Sequence, residues 1–138
     1  MNKAISAAAV AITLSIAGCG GHSSSSSSSA DADQIRALMQ REQSAFNNVD
    51  YNGFLQTLCA QQRAQAQSQT AWTNQAKASM NAYGPIEFSL SNIKVTGDTA
   101  TASNSTKGQR EPESRRTTDT ATFAREGGEW KDCTPPSG

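Results

Sequence analysis

Three cysteines, one histidine and a scatter of carboxylates carry the chemistry open to this chain of 138 residues. Cys59 and Cys133 fall in sequence able to fold. Thiols so far apart have three uses: holding a metal, exchanging electrons or forming a disulfide. A structural zinc site wants four ligands, and the foldable region holds no further Cys or His. A redox pair usually stands as C-x-x-C, which this pair does not. The two therefore read as a structural disulfide, which export from the cytoplasm would permit. Closing so long a loop stabilises by roughly 4 kcal/mol in the chain-entropy model. His22 stands beside the unbroken serine run Ser23–Ser29 and reads as a solvated linker residue rather than a ligand. Asp50 and Asp98 read as a helix cap and a turn residue. Glu87 is the candidate base for acid–base work, yet its alternation with Ile86 and Phe88 turns it toward water. Tyr51 and Tyr83 have no partner base. No catalytic residue, metal ligand or cofactor is assigned.

Cys19 belongs to a different kind of chemistry. Met1-Asn2-Lys3 is a short basic start, and Ala4–Ile16 is uncharged. That stretch has the length of a signal-peptide apolar region and falls short of the roughly 20 residues that a membrane span needs. It runs into Ile16-Ala17-Gly18-Cys19, which resembles the bacterial lipobox: an aliphatic residue, two small ones, then the cysteine whose thiol takes a diacylglyceryl group. Residues 1–18 are read as a lipoprotein signal peptide. Cleavage leaves Cys19 as the lipidated N-terminus, and two acyl chains hold stably where one does not. Residues 19–30 are read as the lipidated cysteine and a serine-rich flexible tether, roughly 20 Å long as a random coil. The expected place of the protein is the outward face of the cell membrane, or the outer membrane if the host has one.

The remainder, 31–134, is expected to form one α+β domain, with 135–138 as a tail. Asp31 with Gln34 resembles a capping box, and Ile35, Leu38, Met39, Phe46 and Val49 recur at helical spacing. The pattern predicts a first helix over 32–47. A short second helix follows Asp50, and a third covers about 61–82, with Trp72, Ala76, Met80 and Tyr83 as its stripe and Gly84-Pro85 as its stop. The period then becomes two. Ile86, Phe88 and Leu90 are out of phase with Ile93 and Val95, which predicts a bulge near Ser91-Asn92. Gly97-Asp98 and Gly127-Gly128 are turns, Lys107–Arg116 an exposed hairpin end, and Glu129–Cys133 the last strand. Trp130 and Cys133 would face opposite sides of a regular strand, so that strand must end or twist first. Three N-terminal helices packed on a curved antiparallel sheet of about four strands is the expected fold. Hydrophobic residues make up 36% and aromatics 6% of the chain, so the core is small and the cross-link matters.

Several stretches carry a resemblance. They are Phe46-Asn47-Asn48-Val49-Asp50-Tyr51, Leu55–Cys59, Val95-Thr96-Gly97-Asp98-Thr99-Ala100 and Glu126-Gly127-Gly128-Glu129-Trp130-Lys131-Asp132-Cys133. In this order, over about 32–133, they resemble the nuclear transport factor two-like superfamily, and more narrowly actinobacterial lipoproteins of that type. The resemblance implies a cone-shaped α+β fold enclosing a pocket. Relatives serve as isomerase, dehydratase, small-molecule binder or dimerisation module, so the fold does not by itself assign an activity.

Twelve Lys plus Arg balance twelve Asp plus Glu, leaving no basic excess for nucleic acid. The expected function is a membrane-anchored, non-enzymatic domain that binds a small apolar ligand or an envelope protein. Phe46, Trp72, Tyr83, Phe88 and Trp130 are the candidate pocket residues, each also a natural core residue. The alternatives are a proton-transfer enzyme of isomerase or dehydratase type, and a docking domain that uses the Thr-rich outer sheet face. The membrane, through the lipid anchor, is the one expected partner of known kind. Asn104-Ser105-Thr106 matches a glycosylation acceptor but means little in a bacterial lipoprotein. The sequence carries no signal for oligomeric state.

Overall fold

A computed structural model describes residues 24–136. The signal peptide, Cys19 and His22 lie outside the described residues. Helix α1, Ser24–Asn47, carries Ile35 and Leu38 fully buried, with Met39 and Ala45 beside them. It begins eight residues before the expected start, taking in Ser24–Ala30 of the region read as tether. Once the apolar stripe anchors a helix, adding turns costs no new nucleation, and serine is only mildly unfavourable there. Asp31 is accordingly not a cap.

The other end of α1 closes with two backbone bonds, Asp50 N–H to Ala45 O at 2.8 Å and Val49 N–H to Phe46 O at 3.0 Å. This is a Schellman pattern with Val49 in the left-handed position at φ 55°. Asp50 then caps α2, Tyr51–Thr57, by accepting from Gly53 N–H at 2.9 Å. The expected third helix is two. Helix α3, Ala60–Gln65, is separated from α4, Gln69–Tyr83, by a non-helical joint, and Ser68 caps α4 by accepting from Ala71 N–H. Gly84, at φ 75°, ends α4 as expected.

Strands β1, Ile86–Thr96, β2, Thr99–Gly108, β3, Thr117–Glu126, and β4, Glu129–Asp132, form one antiparallel meander in the order β1-β2-β3-β4. The expected bulge is present: the β1–β2 register shifts between Ser91 and Lys94, with Asn92 at φ 52°. The surplus residue lets Phe88, Leu90, Ile93 and Val95 all pack on one core despite their change of phase. That core joins α1 to the sheet through Ile35, Leu38 and Met39 against Ala100, Ala102, Ala121, Phe123 and Trp130. The alanines leave room for the helix to lie close on the strands. Strand β4 ends at Asp132, so Trp130 faces the core while Cys133 leaves the strand, which settles the conflict of faces.

Both sheet edges are covered by the helical layer. On β1, the Asn47 side chain exchanges two hydrogen bonds with Ile86, donating to its O at 3.0 Å and accepting from its N–H at 2.9 Å. Gln43, one turn earlier, accepts from Phe88 N–H at 2.7 Å. At β4, Leu58 forms a parallel bridge with Asp132, and Cys59 N–H donates to Asp132 O at 2.8 Å. Cys59 and Cys133 are disulfide-bonded with Cα atoms 5.3 Å apart, as the sequence suggests.

Two outcomes follow for stability. Replacing both cysteines by serine removes a loop closure of 74 residues. It is expected to lower Tm by on the order of 10 °C or more, read by calorimetry with and without reductant. Asn47→Ala leaves two part-buried backbone groups of Ile86 without partners. It is expected to cost about 1–3 kcal/mol in urea unfolding.

Candidate functional site

Between the helices and the sheet lies a cavity of about 530 Å³. Helix α1 brings Glu42 and Phe46 to it, α2 brings Phe54, α4 brings Trp72, β1 brings Phe88 and β2 brings Asn104. Trp72 organises the aromatic side. Its ring stacks on Phe54 at 5.1 Å, meets Phe46 edge-on at 5.9 Å and Tyr51 at a tilt at 5.6 Å. The Tyr51 hydroxyl donates to Gln67 O at 2.5 Å, tying the joint between α3 and α4 to α2.

Within these apolar walls sit two carboxyl groups, Glu42 and Asp132, 8% and 7% exposed. Burial, and next the charge of Asp132, pushes the Glu42 carboxyl from the ordinary 4.5 up to about 8. Burial also raises Asp132, against the pull of Thr134, whose backbone N–H donates to Asp132 Oδ1 at 2.7 Å. The two carboxyls are within hydrogen-bonding reach of each other, a bond that needs one proton between them. Thr57 lies beside Glu42, but its one hydroxyl proton goes to Phe54 O at 2.6 Å. Glu42 Oε2 and Asn104 Oδ1 are buried acceptors with no protein donor. No Lys, Arg or His lines this cavity among the described residues.

The structure distributes the sequence candidates unequally. Phe46, Trp72 and Phe88 stand on the cavity wall. Tyr83 is 49% exposed at the end of α4. Trp130 is in the core beneath α1, its Nε1–H donating to Asp31 Oδ1 at 3.2 Å and its ring 4.7 Å below the Arg125 guanidinium. Asp31 also accepts from Arg125 Nη2 at 2.6 Å, and the Trp130 and Arg125 bonds hold its carboxyl below the usual range. Glu87 pairs across the sheet with Lys107 and lies outside the cavity lining. Cys59, Cys133 and Glu126 bring possible metal-binding atoms within 4.8 Å of one another. The two sulfurs are bonded to each other, however, and Glu126 accepts from Ala60 N–H.

The sequence reading missed Glu42 and Asp132, and each left a signal. Glu42 falls four residues after Leu38 and four before Phe46, on the apolar stripe of α1. Asp132 is in phase with Trp130 along β4, so it had to face inward.

Solved structures place the fold. An NTF-2 like protein of unknown function from Silicibacter pomeroyi matches with a TM-score of 0.53 at 16% identity, over 75% of this chain and 91% of that one. A protein of unknown function from Mycobacterium tuberculosis matches at 0.54 and 14% identity, over 82% and 73%. An NTF2-like chain from Campylobacter jejuni matches at 0.50 and 10% identity, over 74% and 95%. The chain therefore has the NTF2-like fold, and identities this low speak for the fold alone. No protein-family model matches the sequence, and no curated protein does.

A raised Glu42 sets the sign of the pH dependence. Below about pH 4.5 the carboxyl is protonated folded or unfolded. From there to about 8 the unfolded chain ionises while the folded one keeps its proton, so stability falls as pH rises. The slope is on the order of 1 kcal/mol per pH unit. Denaturant unfolding at pH 5 and pH 8 is expected to find the protein weaker at pH 8, with Glu42→Gln flattening the difference. An equal slope in the variant contradicts the assignment.

Proposed function

We propose that this chain is an exported lipoprotein, anchored by lipid on Cys19 to the outward face of a membrane, whose domain holds a small amphipathic ligand without transforming it. The anchor rests on Ile16-Ala17-Gly18-Cys19 behind an uncharged leader, and the Cys59–Cys133 disulfide is consistent with export. No helix among the described residues is long and apolar enough to cross a membrane. The observation that carries the binding reading is the cavity: largely apolar walls around a few buried polar groups, of a size that suits a small molecule.

Docking of an envelope protein has less support. Thr99, Thr101, Thr118 and Thr120 make the outer sheet face polar, and Tyr83 is the one exposed large hydrophobic side chain among the described residues. Proton transfer is the second reading, favoured by one observation: a carboxyl held near 8 inside an apolar cavity suits a general acid or base.

Native mass spectrometry of the full chain, extracted in mild detergent, tests the proposal. The expected species begins at Cys19 with a diacylglyceryl addition, lacks two hydrogens for the disulfide and carries a non-covalent mass lost on denaturation. Ala66→Trp, which brings an indole into the cavity wall and narrows it, is expected to reduce that mass sharply while the protein stays oxidised and folded. An unlipidated chain removes the anchor. A ligand retained undiminished by the narrowed variant removes the cavity as its site.

A further inference from the structure

Four glutamines and two threonines line the cavity, but its buried polar atoms without a partner are both acceptors. Glu42, Asp132 and Asn104 offer acceptor oxygens, and two of these, Glu42 Oε2 and Asn104 Oδ1, are buried with no donor from the protein. The Glu42 side chain is more than nine-tenths buried. Even with one proton shared, the pair keeps one negative charge. Arg41 lines a separate polar cleft beside Asp50, while Lys131 Nζ is engaged by Gln56 O and Glu129 at 2.9 Å each. Buried charge without a counter-charge is costly. A ligand that supplied both a positive charge and N–H donors would relieve both deficits at once.

The walls agree with such a ligand. Phe46, Phe54, Trp72 and Phe88 all line the space, and three of these rings form one cluster. Aromatic faces attract an organic cation within about 6 Å, most strongly when it is desolvated. A neutral alcohol could donate one hydrogen bond but would leave the charge unmatched. A carboxylate would add a third negative group and bring no donor.

Resting on the reading of the cavity as a ligand site, we infer that it selects a protonated amine with an apolar body. Its N–H groups donate to Glu42 and to the Asn104 side-chain oxygen, and its charge lies against the aromatic wall. Asp132 supports the recognition by keeping negative charge beside Glu42.

Three probes of matched size separate the chemistries: 2-phenylethylamine, 2-phenylethanol and 3-phenylpropionate. Titrations of the full-length protein at pH 7.5, followed by calorimetry and Trp fluorescence, are expected to show the amine binding about tenfold or more tighter than the alcohol, with the acid weakest. Asp132→Asn, nearly isosteric and still an acceptor for Thr134 N–H, removes the pair's negative charge and is expected to erase the amine's advantage while leaving the alcohol within about threefold. Glu42→Gln keeps a donor toward Asp132 and is expected to reduce the same advantage without erasing it. Alcohol binding as tight as the amine, or an advantage that survives Asp132→Asn, overturns the inference and leaves the cavity as a site for neutral molecules. If no probe binds but a neutral molecule leaves with the protein on native extraction, the amine fails and the ligand site stands. If nothing binds or co-purifies, both fail.

Discussion

The junction of Leu58 and Cys59 with Asp132 and Cys133 is the constraint on which the rest of the domain turns. A parallel bridge, one backbone hydrogen bond of 2.8 Å and a disulfide one residue further on lock the end of β4 to the chain between α2 and α3. Strand β4 is short, and its inward residues are the Trp130 ring and the Asp132 carboxyl. Without the lock, its free edge would be an unpaired backbone row. With it, Asp132 is held inside the helical layer beside Glu42, where burial raises both carboxyls. Covalent cross-link, sheet edge and buried charge are thus one local arrangement.

Side-chain amides do at the opposite edge what backbone does here. Asn47 and Gln43, one helical turn apart on α1, satisfy Ile86 and Phe88 of β1. Helix α1 is therefore fastened by polar bonds along one side and by Ile35, Leu38 and Met39 beneath. Glu42 lies between these two kinds of contact, so its carboxyl is carried into the cavity by a rigid element. That rigidity sustains an otherwise unfavourable buried carboxyl pair.

Much of the architecture was legible in the sequence, because periodicity reports which face of an element is buried. The change from helical to alternating spacing at Gly84-Pro85 and the phase slip at Ser91-Asn92 each had one physical reading, and the far-separated cysteines narrowed to a disulfide once a metal site and a redox pair were set aside. Less legible was where an element ends when no strong breaker marks it. Ser68 caps α4 from within a Gln- and Ala-rich run that reads as continuous helix, and α1 extends through serines that no periodicity reveals. The site was harder still. Phe46, Trp72 and Phe88 have the same spacing whether they fill a core or line a cavity, and only the placing of the helices around α1 and the sheet leaves space beside them. Trp130 went to the core for the same reason. Glu42 and Asp132 could be seen as charges out of place on apolar faces, but their meeting across α1 and β4 is a product of topology.

The bulge in β1 shows how shape and composition are separable here. Ser91 to Lys94 spans three steps where β2 takes two, so one residue, Asn92 or its neighbour, is surplus to the pairing. Were it absent, Leu90, Ile93 and Val95 would fall into plain alternation and every cross-strand partner could be kept. What would go is the local bend and added twist that a bulge imposes. The bend of β1 thus comes from an arithmetic remainder in one strand. A lineage could straighten or restore that bend by deleting or inserting a single codon there, without exchanging one inward-facing residue for another.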